Sequence, residues 1–148
     1  MIIRTIEKVD LPQVADLYQG FWGEKSDIAR MEDALEKMNL HHSHIILVAQ
    51  EDDAKPGDKL LGTVMGVICP DIYGDCRPFL VLENMIVRRE ARQRGVGRQL
   101  VHTLEAEARE RGCTQILLLT EKGRHDAVEF YNSLGYDPHP MQGYKKKL

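Results

Sequence analysis

Arg88-Arg89-Glu90-Ala91-Arg92-Gln93-Arg94-Gly95-Val96-Gly97-Arg98 decides how this chain reads. Just upstream, Phe79 to Val87 is an apolar run that predicts a buried strand. Downstream, Leu100, Val101, Leu104 and Ala108 fall at helical spacing. The order is therefore strand, Arg/Gly turn, helix. Glycines at 95 and 97 let backbone N–H groups converge on one small concavity, and the positive end of the helix dipole adds to it. Five arginines against one glutamate give the turn a local charge of about +4, in a chain whose total is −3. Such a turn suits a pyrophosphate or another multiply charged anion; the alternative is an ordinary strand-to-helix turn with solvated arginines.

Spacing narrows the choice. Arg92-x-x-Gly95-x-Gly97 reverses the dinucleotide-binding order, in which Gly-x-Gly comes first, and no Gly-Lys-Ser/Thr closes it as in a Walker loop. Farther on, after a strand over 115–120, comes Ala127-Val128-Glu129-Phe130-Tyr131-Asn132-Ser133-Leu134-Gly135-Tyr136. Ala127, Phe130 and Leu134 share a helical stripe, and Tyr131 sits one step off it, where a hydroxyl can project. The first pattern resembles the coenzyme A pyrophosphate loop of the Gcn5-related N-acetyltransferase (GNAT) superfamily, Gln/Arg-x-x-Gly-x-Gly/Ala. The second resembles that family's Ala-x-x-Phe-Tyr-x-x-x-Gly-Phe/Tyr segment. Together the motifs cover about Leu82 to Tyr136; the first eighty residues match only in element order.

The resemblance implies a mixed α/β chain, one domain over 1–148, with a central, mostly antiparallel sheet flanked by helices. It implies acetyl-CoA as co-substrate, with Arg92, Gln93, Arg94, Gly95, Val96, Gly97 and Arg98 around the pyrophosphate. It also implies that backbone groups of Met85, Ile86 and Val87 pair with the pantetheine arm as a pseudo-strand. Core packing would select the same apolar side chains there. One departure stands out: many members carry Asn three residues before the alanine of the last helix, where this chain has Arg124.

Transfer of an acetyl group to an amine sets chemical requirements of its own. A lysine-like amine has a pKa near ~10.4, so at neutral pH only about one molecule in a thousand is reactive, and a carboxylate must take its proton. Glu83 is the one acid inside the apolar strand. A glutamate there is costly unless it is solvated in a cleft or paired, so it is the candidate base, against an exposed-edge carboxylate or an ion pair with an arginine. The leaving thiolate needs a proton or an orienting donor. The resemblance places Tyr131 in that role, against a tyrosine that merely packs.

Composition bounds the rest. A hydrophobic content of 43% and a charged content of 29% over 148 residues are those of one soluble globular domain. The charges are mixed and no zinc-finger or RNA-binding pattern occurs, so nucleic acid is not an expected partner. No apolar run approaches the ~20 residues of a membrane span, and MIIRTIEKVD lacks a signal-peptide core. Cys69, Cys76 and Cys113, odd in number and widely spaced, read as reduced thiols. The expectation is a cytoplasmic enzyme acting on a small-molecule or peptide amine without a metal or a membrane, with a homodimer left open. The rival from another class is a non-catalytic acyl-CoA sensor, which needs the loop but neither Glu83 nor Tyr131.

The remaining pattern predicts a strand over Ile2 to Glu7, then a helix capped by Asp10 with Pro12 in its first turn. Gly20 to Asp27 is expected to break that helix, and a second amphipathic helix covers about Ile28 to Met38. Strands follow over Ile45 to Ala49 and Lys59 to Cys69, and the helix after the arginine turn should stop at Gly112. A helix over 125–134 and a last extended stretch through Lys147 complete the chain. His42 and His44 fall on one side of a strand start, a candidate metal pair without a third ligand. Phe21, Trp22, Glu24 and Asp27, with Asp71, Tyr73 and Asp75, are candidates to line an acceptor cleft.

Overall fold

Four antiparallel strands, with helices on both faces, carry the first of the two motif segments. The computed structural model describes residues 1–148, and the chain divides into two compact units, Met1–Leu117 and Leu118–Leu148. In the first unit, β1 (Ile2–Thr5), β2 (His44–Gln50), β3 (Gly62–Cys69) and β4 (Phe79–Val87) pair antiparallel in sequence order. A short strand β5 (Ile116–Leu118) follows β4 in the sheet. Helix α3 (Val96–Glu110) connects β4 to β5, the crossover that a parallel pair requires. The sheet is therefore mixed and mostly antiparallel, as the motifs imply.

The two faces are covered by different helices. A Cβ built on Gly66 of β3 would meet Leu104 Cδ1 at 2.7 Å and Leu80 Cδ1 at 2.8 Å, so α3 lies directly on that face. On the other face α1 (Leu11–Trp22) places Val14 and Leu17 against Val48, Leu60 and Ile86. Helix α2 (Ile28–His41) packs on α1 and buries Leu35.

That assignment exposes an irregularity in β4. Leu82 pairs with Gly66 and so shares the α3 face, whereas Ile86, an even number of residues on, belongs to the α1 cluster. In an unbroken strand both would point the same way. The register shows why: Thr63 pairs with Ile86 but Met65 with Glu83, so Asn84 and Met85 oppose the single residue Val64. This is a β-bulge, and Asn84 adopts φ +51 within it.

Asp10 precedes α1 as expected, but its side chain does not cap the helix. It is fully buried and accepts four hydrogen bonds. Arg4 Nη1 and Nη2 donate at 2.7 and 2.9 Å, and the Glu7 and Gly57 backbone N–H groups each donate at 2.8 Å. Arg4 also donates to Gln50 Oε1, through Nε at 2.9 Å and Nη2 at 2.6 Å. One carboxylate thus ties β1, the α1 start and the β2–β3 loop together. Burial pushes the Asp10 carboxyl up, but the Arg4 guanidinium and the two backbone N–H groups outweigh it and hold the group below its ordinary value.

Other boundaries differ for local reasons. Helix α1 runs through Gly20 to Trp22 and stops at Gly23, whose φ of +81 supplies the left-handed terminator. Asp27 Oδ1 accepts from the Arg30 N–H at 3.2 Å, so this carboxylate caps α2 rather than facing a cleft. His42 terminates α2 in the left-handed region and His44 opens β2, which puts the two histidines on different elements. Gly112, at φ +75, follows the end of α3 as expected. No helix is long and apolar enough to cross a membrane.

In the second unit, α4 (His125–Asn132) carries Tyr131. The Leu134 and Tyr136 N–H groups both return to the Tyr131 carbonyl, at 3.0 and 3.1 Å, around Gly135 at φ +88. The extended stretch expected through Lys147 forms no strand: residues 137–148 are irregular and exposed. Three consecutive lysines and scattered apolar residues there offer neither an alternating face nor a ladder partner.

Candidate active site

Glu83 precedes the bulge, so alternation from Leu82 puts it on the α1 face of the sheet. Its side chain is exposed and makes no ion pair or hydrogen bond. Of the two alternatives weighed for it, the structural ion pair with an arginine is thereby removed. The carboxylate is solvated within a central strand whose neighbours Leu82 and Ile86 are buried.

After β4 the chain makes a short 3-10 turn, Arg89–Ala91, and then the glycine-containing loop. Gln93 (φ +62) and Gly95 (φ +80) are both left-handed, and Gly95 occupies the N-cap position of α3 without a side-chain cap. The first helical bond runs from the Gln99 N–H to the Gly95 carbonyl at 3.0 Å. The Val96 and Gly97 N–H groups therefore leave the helix start with no acceptor in the protein. The Val96 side chain is buried, so only its backbone is available to a ligand.

Folding moderates the charge of the loop. Arg88 Nη1 donates to Asp16 Oδ2 at 2.7 Å and its Nε to the Leu60 carbonyl at 2.8 Å. Arg94 Nη2 meets Glu51 Oε1 at 2.7 Å, and Lys59 pairs with Glu90, also at 2.7 Å. Arg92 Nε donates to the Val87 carbonyl at 3.3 Å, holding its guanidinium beside the end of β4. Arg89 is exposed and has no acidic partner. The Arg94–Glu51 pair is half exposed, so an anion can replace the carboxylate at little cost.

Ile86, Val87 and Arg92 line an open cleft of ≈ 330 Å³ together with Arg88, Arg89 and Glu90. Its opposite wall is α1, through Asp16, Leu17, Gly20 and Phe21. Sequence reasoning missed this wall apart from Phe21. Leu17 and Phe21 lie one helical turn apart, and Gly20 between them has no Cβ to fill the gap; that spacing was the available signal. Trp22 stacks edge-on against both Phe21 and Tyr18, each at 5.2 Å between centroids, and is half exposed. Asp71 instead receives the Ile72 and Tyr73 N–H groups at 2.7 and 3.1 Å, which closes its own loop.

Glu83, Met85, Gln93, Arg94, Gly95, Val96, Gly97 and Arg98 lie outside the cleft lining but within the same unit. Tyr131 belongs to the C-terminal unit, where its ring meets Phe130 at 5.1 Å and Tyr136 at 5.7 Å, both edge-to-face. Arg124 sits at the N-cap of α4 and grips Asp126 through Nε and Nη2, each at 3.0 Å.

Comparison with known proteins bears on this arrangement. The chain is 45% identical over 65 residues to mouse N-alpha-acetyltransferase 80, a stretch that is 43% of this chain and 19% of that protein. It is 28% identical over 141 residues to the uncharacterized N-acetyltransferase YhfO of Bacillus subtilis, covering 93% of this chain and 90% of the relative. A solved structure from Agrobacterium tumefaciens, described as an acetyltransferase, superposes with a TM-score of 0.89 at 24% identity over the whole of both chains. That last likeness establishes the fold. Residues 11–136, which span both motif segments, match the acetyltransferase (GNAT) family. The matched span takes in the arginine loop, the bulged strand and α4, and the chain belongs to the GNAT acetyltransferase family.

Proposed function

We propose that this chain transfers an acetyl group from acetyl-CoA to a primary amine by direct transfer in a ternary complex. The observation that carries the reading is Glu83: an exposed carboxylate, free of partners, in the strand that runs into the arginine loop. A protein that only bound an acyl-CoA would need the loop and not the acid.

In this reading the Val96 and Gly97 N–H groups, with the loop arginines, hold the pyrophosphate, and the backbone of Met85 to Val87 receives the pantetheine arm. Glu83 takes a proton from the ammonium form of the acceptor, directly or through a water, and frees the nitrogen lone pair. The nitrogen attacks the thioester carbonyl, the C–S bond breaks and the nitrogen sheds its second proton; the Tyr131 hydroxyl orients the departing thiolate or protonates it, and in the latter case that second proton restores the hydroxyl. The products are an amide and free coenzyme A. A cysteine relay is disfavoured, since none of Cys69, Cys76 and Cys113 lies in β4, the arginine loop or α4. Phe21 and Trp22 offer an aromatic contact to a cationic or apolar acceptor.

Release of free thiol from acetyl-CoA over a panel of amines tests the reading. Peptide α-amines belong in that panel because of the mouse relative's name, beside polyamines, amino acids and small aminated antibiotics. Absence of thiol release with every amine, despite tight acetyl-CoA binding, would favour a sensor. The enzyme is taken to work in the cytoplasm, without a metal.

Two substitutions probe the parts. At Gly95 an added Cβ meets no atom within 4 Å, so nothing in the core resists it, but φ +80 does. Gly95→Val should force the loop out of its left-handed turn and weaken acetyl-CoA binding about tenfold or more, ~1.4 kcal/mol, measurable by calorimetry. Unchanged affinity would remove the loop from the donor site. Tyr131→Phe keeps the ring contacts with Phe130 and Tyr136. Turnover should fall about tenfold or more while acetyl-CoA affinity holds. An equally active Phe variant would take Tyr131 out of the mechanism.

A further inference from the structure

Gly20 lies in the last turn of α1, where the packing of the chain does not call for a glycine. Its φ is not in the left-handed region, so any residue could adopt this backbone. A Cβ built on it meets no atom within 4 Å. Glycine is nonetheless a poor helix former, because it loses the most conformational freedom on folding. What Gly20 does border is the cleft of ≈ 330 Å³ between α1 and the end of β4. Ligand sites span roughly 300–1,000 Å³, so this one is small and a further side chain on its wall would take up much of it.

The chemistry of the lining selects the ligand. Along the chain it passes from apolar Ile86 and Val87 to cationic Arg88, Arg89 and Arg92, with Leu17 contributed by α1. Its two carboxylates are already engaged: Asp16 meets Arg88 at 2.7 Å, and Glu90 meets Lys59 at 2.7 Å. A cationic amine would face three guanidinium groups there and only carboxylates that have a cation of their own. An uncharged arm joined to a phosphate meets apolar surface first and arginine next. We propose that Gly20 is a specificity-determining residue for the donor: its missing side chain keeps the α1 wall open, so that the uncharged arm of an acyl-CoA lies between α1 and β4. This rests on the reading of the chain as an acetyl-CoA-dependent transferase. Arg88 holds the two walls at a fixed separation, since it reaches Asp16 of α1 through Nη1 and the Leu60 carbonyl through Nε, at 2.7 and 2.8 Å.

A helical side chain leans back over the preceding turn, so Gly20→Leu would lay its side chain across Asp16 and Leu17, both in the cleft lining. The Kd for acetyl-CoA should rise about tenfold or more by calorimetry, while Tm does not fall. Adenosine 3′-phosphate 5′-diphosphate, which is coenzyme A without its arm, should bind this variant within about twofold of the native chain. Gln19→Leu, at an exposed position outside the lining, should leave acetyl-CoA affinity unchanged. An equal loss for the nucleotide and for acetyl-CoA would mean that the leucine disturbs the phosphate loop, and would overturn the proposal. Native acetyl-CoA affinity in Gly20→Leu would overturn it too. A rise confined to the KM of the amine would give the cleft to the acceptor and overturn it as well. These three results leave the donor reading standing, whereas a native chain that binds no acetyl-CoA would overturn that reading and this inference together.

Discussion

Asp10→Ala is expected to cost about 3–5 kcal/mol of stability, the range for removing one partner of a buried ion pair. Asp10 is fully buried, and the Arg4 side chain opposite it is 18% exposed. Without the carboxylate, the guanidinium and the Glu7 and Gly57 N–H groups lose their acceptor at once. For a chain of this size that loss corresponds to a fall in Tm of roughly 6–20 °C. The pH dependence has a definite sign. A carboxyl held below its ordinary value contributes stability that is fully present above the unfolded value of about 4 and is lost as pH falls through the folded one. Urea unfolding of the native chain should therefore weaken in acid below that point, and the Asp10→Ala variant should lack this component. A variant within about 1 kcal/mol of the native chain at pH 7 would show that Arg4 and Gln50 hold the junction without Asp10.

Glu83→Gln should cut turnover roughly 10²-fold at neutral pH and leave acetyl-CoA affinity nearly unchanged, as expected when a general base is removed. The defect should shrink as pH rises toward the amine's own pKa of ~10.4, because more acceptor then deprotonates unaided. Stability gives an independent check. Glu83 is exposed and unpaired, so the substitution removes no buried interaction and should change stability by no more than about 0.5 kcal/mol. A stable variant with full activity would return Glu83 to the role of a solvated strand residue. Loss of activity together with a lowered Tm would point instead to damage at the bulge beside it.

The motif segments were legible because each is local. Strand, Arg/Gly turn and helix are written in consecutive residues, and the apolar run and the 3.6-residue spacing that mark them lie within single segments. The same holds for Gly112 at the end of α3 and for the strand order up to β4. Asp10 shows the limit: its position before α1 was readable, but its partners Arg4 and Gly57 come from other segments, so the side chain serves a three-element junction rather than a helix cap. The loop charge shows the same limit, since Asp16 and Glu51, remote in sequence, neutralise two of the arginines.

What the chain determined by itself was the order of elements through α4, the strand–turn–helix with its cluster of arginines and glycines, and the family those motifs describe. The tertiary structure alone decided which face Glu83 occupies. A strand read from sequence alternates strictly and would put Leu82, Asn84 and Ile86 on one side. The register against β3 inserts one residue at Asn84 and sends Leu82 and Ile86 to opposite faces. A bulge depends on how two strands separated in sequence meet, and Asn84 tolerates the backbone it requires without announcing it. Cross-strand register exists only once the chain has folded.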